Sequence, residues 1–153
     1  MLREAIFNIC QNEIEGARFL DLFAGSGAMG LEALSRGASH ATFIEQNRIA
    51  IQCIKENIAA LQVEKACRIV PMHYLKALSL LQQEKMQFEL IYVDPPYDMF
   101  IDLTSIASLL APVGILFLEE RNHPKQTKAT ELPHLRIKNV RRFGIARLSV
   151  YTF

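Results

Sequence analysis

Asp21-Leu22-Phe23-Ala24-Gly25-Ser26-Gly27-Ala28-Met29-Gly30 joins an apolar strand to a helix through three glycines. Arg18 to Phe23 reads as the strand and Ala28 to Arg36 as the helix, with Gly37 placed to close its C-terminus. Gly25, Gly27 and Gly30 make the spacing G-x-G-x-x-G. Glycines there let the backbone turn tightly and a ligand approach closely, and the helix start offers free N–H groups. Glu45 stands 20 residues after Gly25, at the end of the next strand, where a carboxylate can accept from two ribose hydroxyls. A tight turn without a ligand, a nicotinamide dinucleotide loop and an S-adenosylmethionine loop all share this pattern. Asp21 separates the last two: a carboxylate inside the loop would repel a pyrophosphate and suit the ammonium of a methionine moiety.

Outward from this loop, strands and helices alternate. Leu2 to Gln11 has helical apolar spacing, at Leu2, Ala5, Ile6, Ile9 and Cys10. His40 to Ile44 is a strand. Asn47 to Leu61 is a helix with Ile51, Ile54, Ile58 and Leu61 on one face and Asn47 as its cap. Cys67 to Val70 is a strand, Leu75 to Lys85 a helix, and Phe88 to Val93 a strand apolar enough to be buried on both faces. Phe100 to Leu110 reads as a helix and Val113 to Leu118 as a strand. His134 to Arg141 and Ile145 to Phe153 read as an antiparallel pair joined at Phe143-Gly144. The expectation is a single α/β domain over residues 1–153: a sheet of seven strands, five parallel plus a C-terminal antiparallel hairpin, with helices on both faces.

A second site follows the fourth strand, at Asp94-Pro95-Pro96-Tyr97. Ligands of open parallel sheets bind beyond the carboxyl ends of the strands, and the first and fourth strands are neighbours in a doubly wound sheet. Two prolines hold Asp94 and Pro95 extended, so the Asp94 carboxylate and the Pro95 carbonyl can present two acceptors at one spot. An exocyclic amine has two N–H donors to match. Accepting both favours a lone pair localised on nitrogen, ready to attack a methyl on a sulfonium. Tyr97 can stack on the base that carries the amine. A proline-rich turn with a capping Asp is the structural alternative.

Composition narrows the class. Of 153 residues half are hydrophobic and 22% charged, which excludes disorder, and Ile106 to Leu118 is too short and too broken by Pro112 and Gly114 to span a membrane. Cys10, Cys53 and Cys67 and the four histidines fit no zinc pattern, so no metal is expected; neither His73 nor His123 is taken as a catalyst. Free thiols suit a reducing cytoplasm. Charge is unevenly spread: residues 1–120 hold 9 basic and 15 acidic side chains, while residues 121–153 hold 8 basic and one acidic. A basic end on an acidic body is either a footprint for a polyanion or a solvated surface; Lys138, Arg141 and Arg142 are its candidate phosphate contacts.

Together the motifs resemble a Rossmann-like class I S-adenosylmethionine-dependent methyltransferase that acts on amines. The resemblance sharpens at Leu2–Ile9, Leu20–Gly27, Leu31–Ala38 and Val93–Tyr97, and again at Arg142-Phe143-Gly144 and Leu148–Tyr151. These segments are similar to the bacterial 16S ribosomal RNA guanine-N2 methyltransferase family, which acts on guanine 966. The resemblance implies a cytoplasmic monomer that transfers methyl from S-adenosylmethionine to guanine N2, in 16S rRNA or an assembling small ribosomal subunit. Gly25, Gly27 and Asp21 would then hold the methionine part, Glu45 the ribose, and Asp94, Pro95, Pro96 and Tyr97 the guanine, with Phe23, Ala24, Ser26, Met72 and Asp94 also counted as cofactor-binding. Asn8 and Arg3 would lie near the cofactor mouth. In that family a basic hairpin ending in Arg-Pro-Thr precedes the first helix, whereas this sequence starts at the helix. Where the family has a small polar residue near the adenine, this chain reads Pro71-Met72-His73, so Met72 either packs on the adenine or belongs to the core. The rival readings are an adenine-N6 methyltransferase on DNA or RNA, a nicotinamide-dependent dehydrogenase, and a non-catalytic RNA-binding module.

Overall fold

The chain's structure, a computed structural model, describes residues 2–96, 99–121 and 130–153. Among these residues the strands are β1 (Arg18–Leu22), β2 (His40–Ile44), β3 (Cys67–Val70), β4 (Phe88–Val93), β5 (Leu110–Arg121), β6 (Arg136–Phe143) and β7 (Ala146–Thr152). They form one sheet in the order β3-β2-β1-β4-β5-β7-β6. β1 to β5 run parallel, while β7 pairs antiparallel with both β5 and β6. The helices are α1 (Leu2–Ile9), α2 (Ala28–Ser35), α3 (Arg48–Leu61), α4 (Tyr74–Gln83) and α5 (Leu103–Ala107). From β1 the chain builds outward through β2 and β3, then returns to β4 on the other side of β1. That reversal opens a crevice beyond the carboxyl ends of β1 and β4.

Alternation along the strands divides the core. Leu20, Leu22, Ile91, Val93, Leu116 and Leu118 face one way and pack with Ala77, Leu78 and Leu81 of α4 and Leu103 and Ile106 of α5. Phe19, Leu90, Tyr92, Ile115 and Phe117 face the other way and pack with Ile6 and Phe7 of α1. Beside them, Ala41 and Phe43 of β2 meet Leu31 of α2 and Ile54 and Ile58 of α3. Local signals set the helix starts: the Asn47 side chain accepts from Ala50 N–H at 3.0 Å, and His73 Nδ1 accepts from Leu75 N–H at 3.2 Å.

The structure departs from the sequence reading at three places. The fifth helix stops at Ala107, and Leu110 already belongs to β5. Phe88 pairs with Leu110 but Leu90 pairs with Ile115, so one residue of β4 faces four of β5. Pro112 has no N–H for the ladder, and this bulge absorbs it together with the exposed Val113. β5 also runs past Leu118 to Arg121, because Glu119, Glu120 and Arg121 pair with Leu148, Arg147 and Ala146 of β7. The hairpin starts at Arg136, not His134, which sits at φ 66°. Its turn is Gly144-Ile145, with Gly144 at φ 59° and Phe143 paired with Ala146.

Candidate active site

At the end of β1 the chain turns sharply at Phe23, whose φ of 63° is rare for an aromatic residue. Ala24 N–H donates to the Ile44 carbonyl at 3.0 Å, and Gly27 N–H to the Ala24 carbonyl at 2.9 Å. Gly25 and Gly27 take φ values of 57° and 81°. Gly30 is glycine for a different reason: a Cβ there would fall 2.4 Å from Cε1 of Phe43, so only glycine lets α2 lie on that ring. Two carboxylates tie the loop together. Asp21, 1% exposed, accepts Gly30 N–H at 3.0 Å. Glu45 accepts from Gly25 N–H at 2.8 Å on Oε1, and from Gln46 and Asn47 N–H at 3.0 Å each on Oε2. A carboxylate offers about four lone-pair sites, so Glu45 keeps one on Oε1.

Beyond the ends of β1, β2, β4 and β5 lies a pocket of about 660 Å³. That is the size of a site for a nucleoside-sized ligand. Of the residues singled out in the sequence, Phe23, Glu45, Met72, Asp94, Pro95 and Pro96 line it together. Asp21, Ala24, Gly25, Ser26 and Gly27 do not; they form the loop behind Glu45. Tyr97 and His123 lie outside the described residues. Met72 both lines the pocket and packs on the core, so the two readings of it hold at once. Asp94 N–H donates to the Leu22 carbonyl at 3.5 Å, continuing the β1–β4 pairing. The Pro96 carbonyl is taken by Met99 N–H at 3.4 Å, whereas among the described residues nothing donates to that of Pro95.

The electrostatics of the pocket are acidic. Asp94 is exposed at the pocket's edge, yet partial burial of its carboxyl, helped by the negative charge of Glu119, pushes it up to about 6. Burial pushes Asp21 up to about 8, against the pull of Gly30 N–H, with Asp94 and Glu45 adding repulsion. Tyr92 is raised by burial and by Asp94, and its hydroxyl donates to Glu119 Oε2. Carboxyls held near neutrality in a cleft can accept N–H groups and take up a proton.

Sequence reasoning missed Tyr74 beside Phe23, and the far wall of Glu119, Glu120 and Arg121 with Ile145 and Ala146 of the hairpin. The Tyr74 ring lies 5.1 Å from that of Phe23, and its hydroxyl accepts from Asp102 N–H at 3.3 Å. Glu120 accepts from the buried Arg147 at 3.0 Å. A longer β5 would have exposed the signal, since its last residues are then the strand end that faces the crevice. Among the described residues no helix is long and apolar enough to cross a membrane, and no group of His, Cys, Asp and Glu could hold a metal ion.

Comparison with known proteins agrees with this architecture. The family model described as conserved hypothetical protein 95 matches residues 1–152. Ribosomal RNA small subunit methyltransferase D of Escherichia coli K12 is 38% identical over 123 residues, 77% of this chain and 60% of that protein. The chain spans about half to two thirds of the length of the small subunit methyltransferases it matches. A conserved hypothetical protein of Streptococcus pyogenes superposes with a TM-score of 0.85 at 32% identity, over 97% of this chain and 93% of its own. SMU.776, solved in complex with SAH, shares the fold at a TM-score of 0.80 and 11% identity, over 99% of this chain and 49% of its own. The chain has the class I methyltransferase fold, and by sequence it belongs to the conserved hypothetical protein 95 family.

Proposed function

We propose that this chain transfers a methyl group from S-adenosylmethionine to the exocyclic N2 of a guanine in small-subunit ribosomal RNA. One observation carries the reading: the Asp94 carboxylate and Pro95 stand in the same pocket as Glu45 and Phe23, at adjoining strand ends. The names of the relatives support ribosomal RNA as the substrate, and the methyltransferase fold supports the methyl donor. The residues present fit an adenosyl group. Phe23, Ile44 and Met72 offer apolar walls for a flat base, and Glu45 keeps an acceptor for a ribose hydroxyl. Asp94 supplies negative charge for a cationic centre.

When bound, S-adenosylmethionine supplies an electrophilic methyl on a sulfonium. Asp94 and the Pro95 carbonyl hold the two N–H groups of the guanine amine, which turns its lone pair toward the methyl. Transfer forms the N–C bond and breaks the methyl–sulfur bond, whose electron pair stays on the departing S-adenosylhomocysteine; one N–H bond breaks as well, and the Asp94 carboxylate would take that proton and release it to solvent. Phe23 and Tyr74 exclude water from one side of the pocket. The test replaces Asp94 with Ala. Turnover on small-subunit rRNA should fall by at least about 100-fold, while calorimetry shows S-adenosylhomocysteine bound with affinity near that of the unaltered protein. Nucleoside analysis should identify N2-methylguanine. Undiminished turnover, or N6-methyladenine as the product, refutes the reading.

A further inference from the structure

The proposed reading leaves one wall of the pocket without a task. Val93 of β4 pairs with Leu118 of β5, and the same register carried one residue further sets Asp94 beside Glu119. Neighbouring residues of a parallel pair share a face, so Tyr92, Asp94 and Glu119 lie on one side of the sheet. Three observations mark Glu119 as placed there. It lines the pocket with Asp94 and Pro95. Its charge reaches Asp94 strongly enough to help raise it. Its Oε2 is held by the hydroxyl of Tyr92, a residue only 5% exposed, and among the described residues Oε1 takes no hydrogen bond. A buried tyrosine thus fixes one oxygen of a pocket carboxylate and leaves the other for whatever enters.

Resting on the proposed methyl transfer to a guanine, we infer that Glu119 is the residue that selects guanine, its carboxylate accepting the base's N1–H while Asp94 and the Pro95 carbonyl accept the two N2–H. Guanine presents N1–H and the C2 amine side by side, three donors in a row against three acceptors. Adenine presents an amine beside an N1 lone pair, which a carboxylate repels. Sites built to receive a donor reject analogues that lack it, because the buried acceptor is left without a partner. Holding N1–H also pushes electron density toward the C2 amine, so selection and activation act in the same sense. Tyr92 is a positioning residue, acting through Glu119. The charged groups around Glu119 and Asp94 are Asp21 below, Glu120 and Arg121 along β5, and Glu45 across the pocket.

The test uses a synthetic small-subunit rRNA fragment carrying either guanine or 2-aminopurine at the nucleotide that the protein methylates. 2-Aminopurine keeps the C2 amine but replaces N1–H with a lone pair. The readout is the ratio of kcat/KM on the two RNAs. One charge-assisted hydrogen bond is worth about 10- to 100-fold, so the Glu119→Gln protein, whose amide can turn to donate instead, should lose at least about 10-fold of the preference for guanine. Tyr92→Phe should move the ratio the same way by less, and both variants should bind S-adenosylhomocysteine like the parent. A ratio changed less than about twofold in Glu119→Gln overturns the inference. So does a loss of S-adenosylhomocysteine affinity with equal loss of turnover on both RNAs. If the unaltered protein methylates neither RNA, the reading on which this rests fails, and this assignment with it; the parent's activity on guanine tells the two failures apart.

Discussion

Replacing Gly30 with Ala tests whether the third glycine of the loop exists for packing. The added Cβ would lie 2.4 Å from Cε1, 2.8 Å from Cζ and 3.2 Å from Cδ1 of Phe43. Carbon atoms prefer about 3.5–4.0 Å, so α2 or the ring must retreat by about 1 Å. The ring has little room to do so, because Phe43 is fully buried. Overpacking of this kind costs about 1–3 kcal/mol, and the better helix propensity of Ala returns up to about 1 kcal/mol. An approach of 2.4 Å to a buried ring lies at the upper end of the overpacking range, so urea denaturation should report a net loss of about 2 kcal/mol. S-Adenosylhomocysteine should bind less tightly, because a displaced α2 moves the Gly25–Gly27 turn and with it Glu45. Gly25→Ala is the control. Nothing lies within 4 Å of its Cβ, but its φ of +57° costs an L-residue about 1–2 kcal/mol. Trimming the ring with Phe43→Leu should then rescue Gly30→Ala and leave Gly25→Ala unaffected, a coupling measurable by double-mutant cycle. A Gly30→Ala protein as stable as its parent, or a rescue equal for both glycines, refutes the packing argument.

Two further expectations follow from the carboxyls. With Asp94 raised to about 6, kcat/KM on rRNA should decline as pH falls through 6, since a protonated carboxyl accepts N–H groups poorly; a profile flat down to pH 4.5 contradicts its role. Asp21 ionises near pH 8 when folded and near 3.8 when unfolded, so between those values the folded state holds the extra proton. Stability therefore declines as pH rises from about 4 to about 8 and levels off above. Asp21→Asn, which can still accept Gly30 N–H, should remove this slope and gain on its parent by an amount on the order of a few kcal/mol by pH 8. Parallel pH–stability curves for the two proteins would exclude it.

The sheet was legible because its strands are apolar runs and its helices are periodic, two signals that do not depend on distant contacts. The order of β1 and β4 followed from the doubly wound rule, and with it the meeting of Glu45 with Asp94. Three features were not legible, each because a partner distant in sequence or in another element decides it. The bulge at Pro112 exists because β4 offers a ladder on either side of a residue that cannot donate. The last turn of β5 is strand because β7 pairs with it; Glu119-Glu120-Arg121 by itself carries no strand signal. Asp21 reads in sequence as a ligand contact, but with Gly30 N–H on its oxygen and 1% exposure it sits beneath the loop. Its position is set by the helix.

The uneven charge of the chain takes a spatial form that the sequence could only suggest. Asp94, Glu119 and Glu45 line the pocket with Asp21 beneath, and repulsion among them contributes to the raised carboxyls of Asp21 and Asp94. Such a site favours a cationic ligand and disfavours a phosphate, so a polyanion must rest its backbone elsewhere. The edge strand β6 exposes Arg136, Lys138, Arg141 and Arg142, and the turn that follows it brings Ile145 and Ala146 to the pocket rim. Charged residues on an edge strand also prevent unwanted strand pairing, so exposure alone does not assign them to RNA. Their connection ties them to the proposed reaction: the same hairpin that carries the cations ends at the acidic pocket. In the proposed reaction the backbone would rest on the basic strand while one base leaves its stack to enter the pocket, as chemistry on an exocyclic amine requires. The two charge signs are then parts of one device, and the distance between them is set by the short turn between β6 and β7.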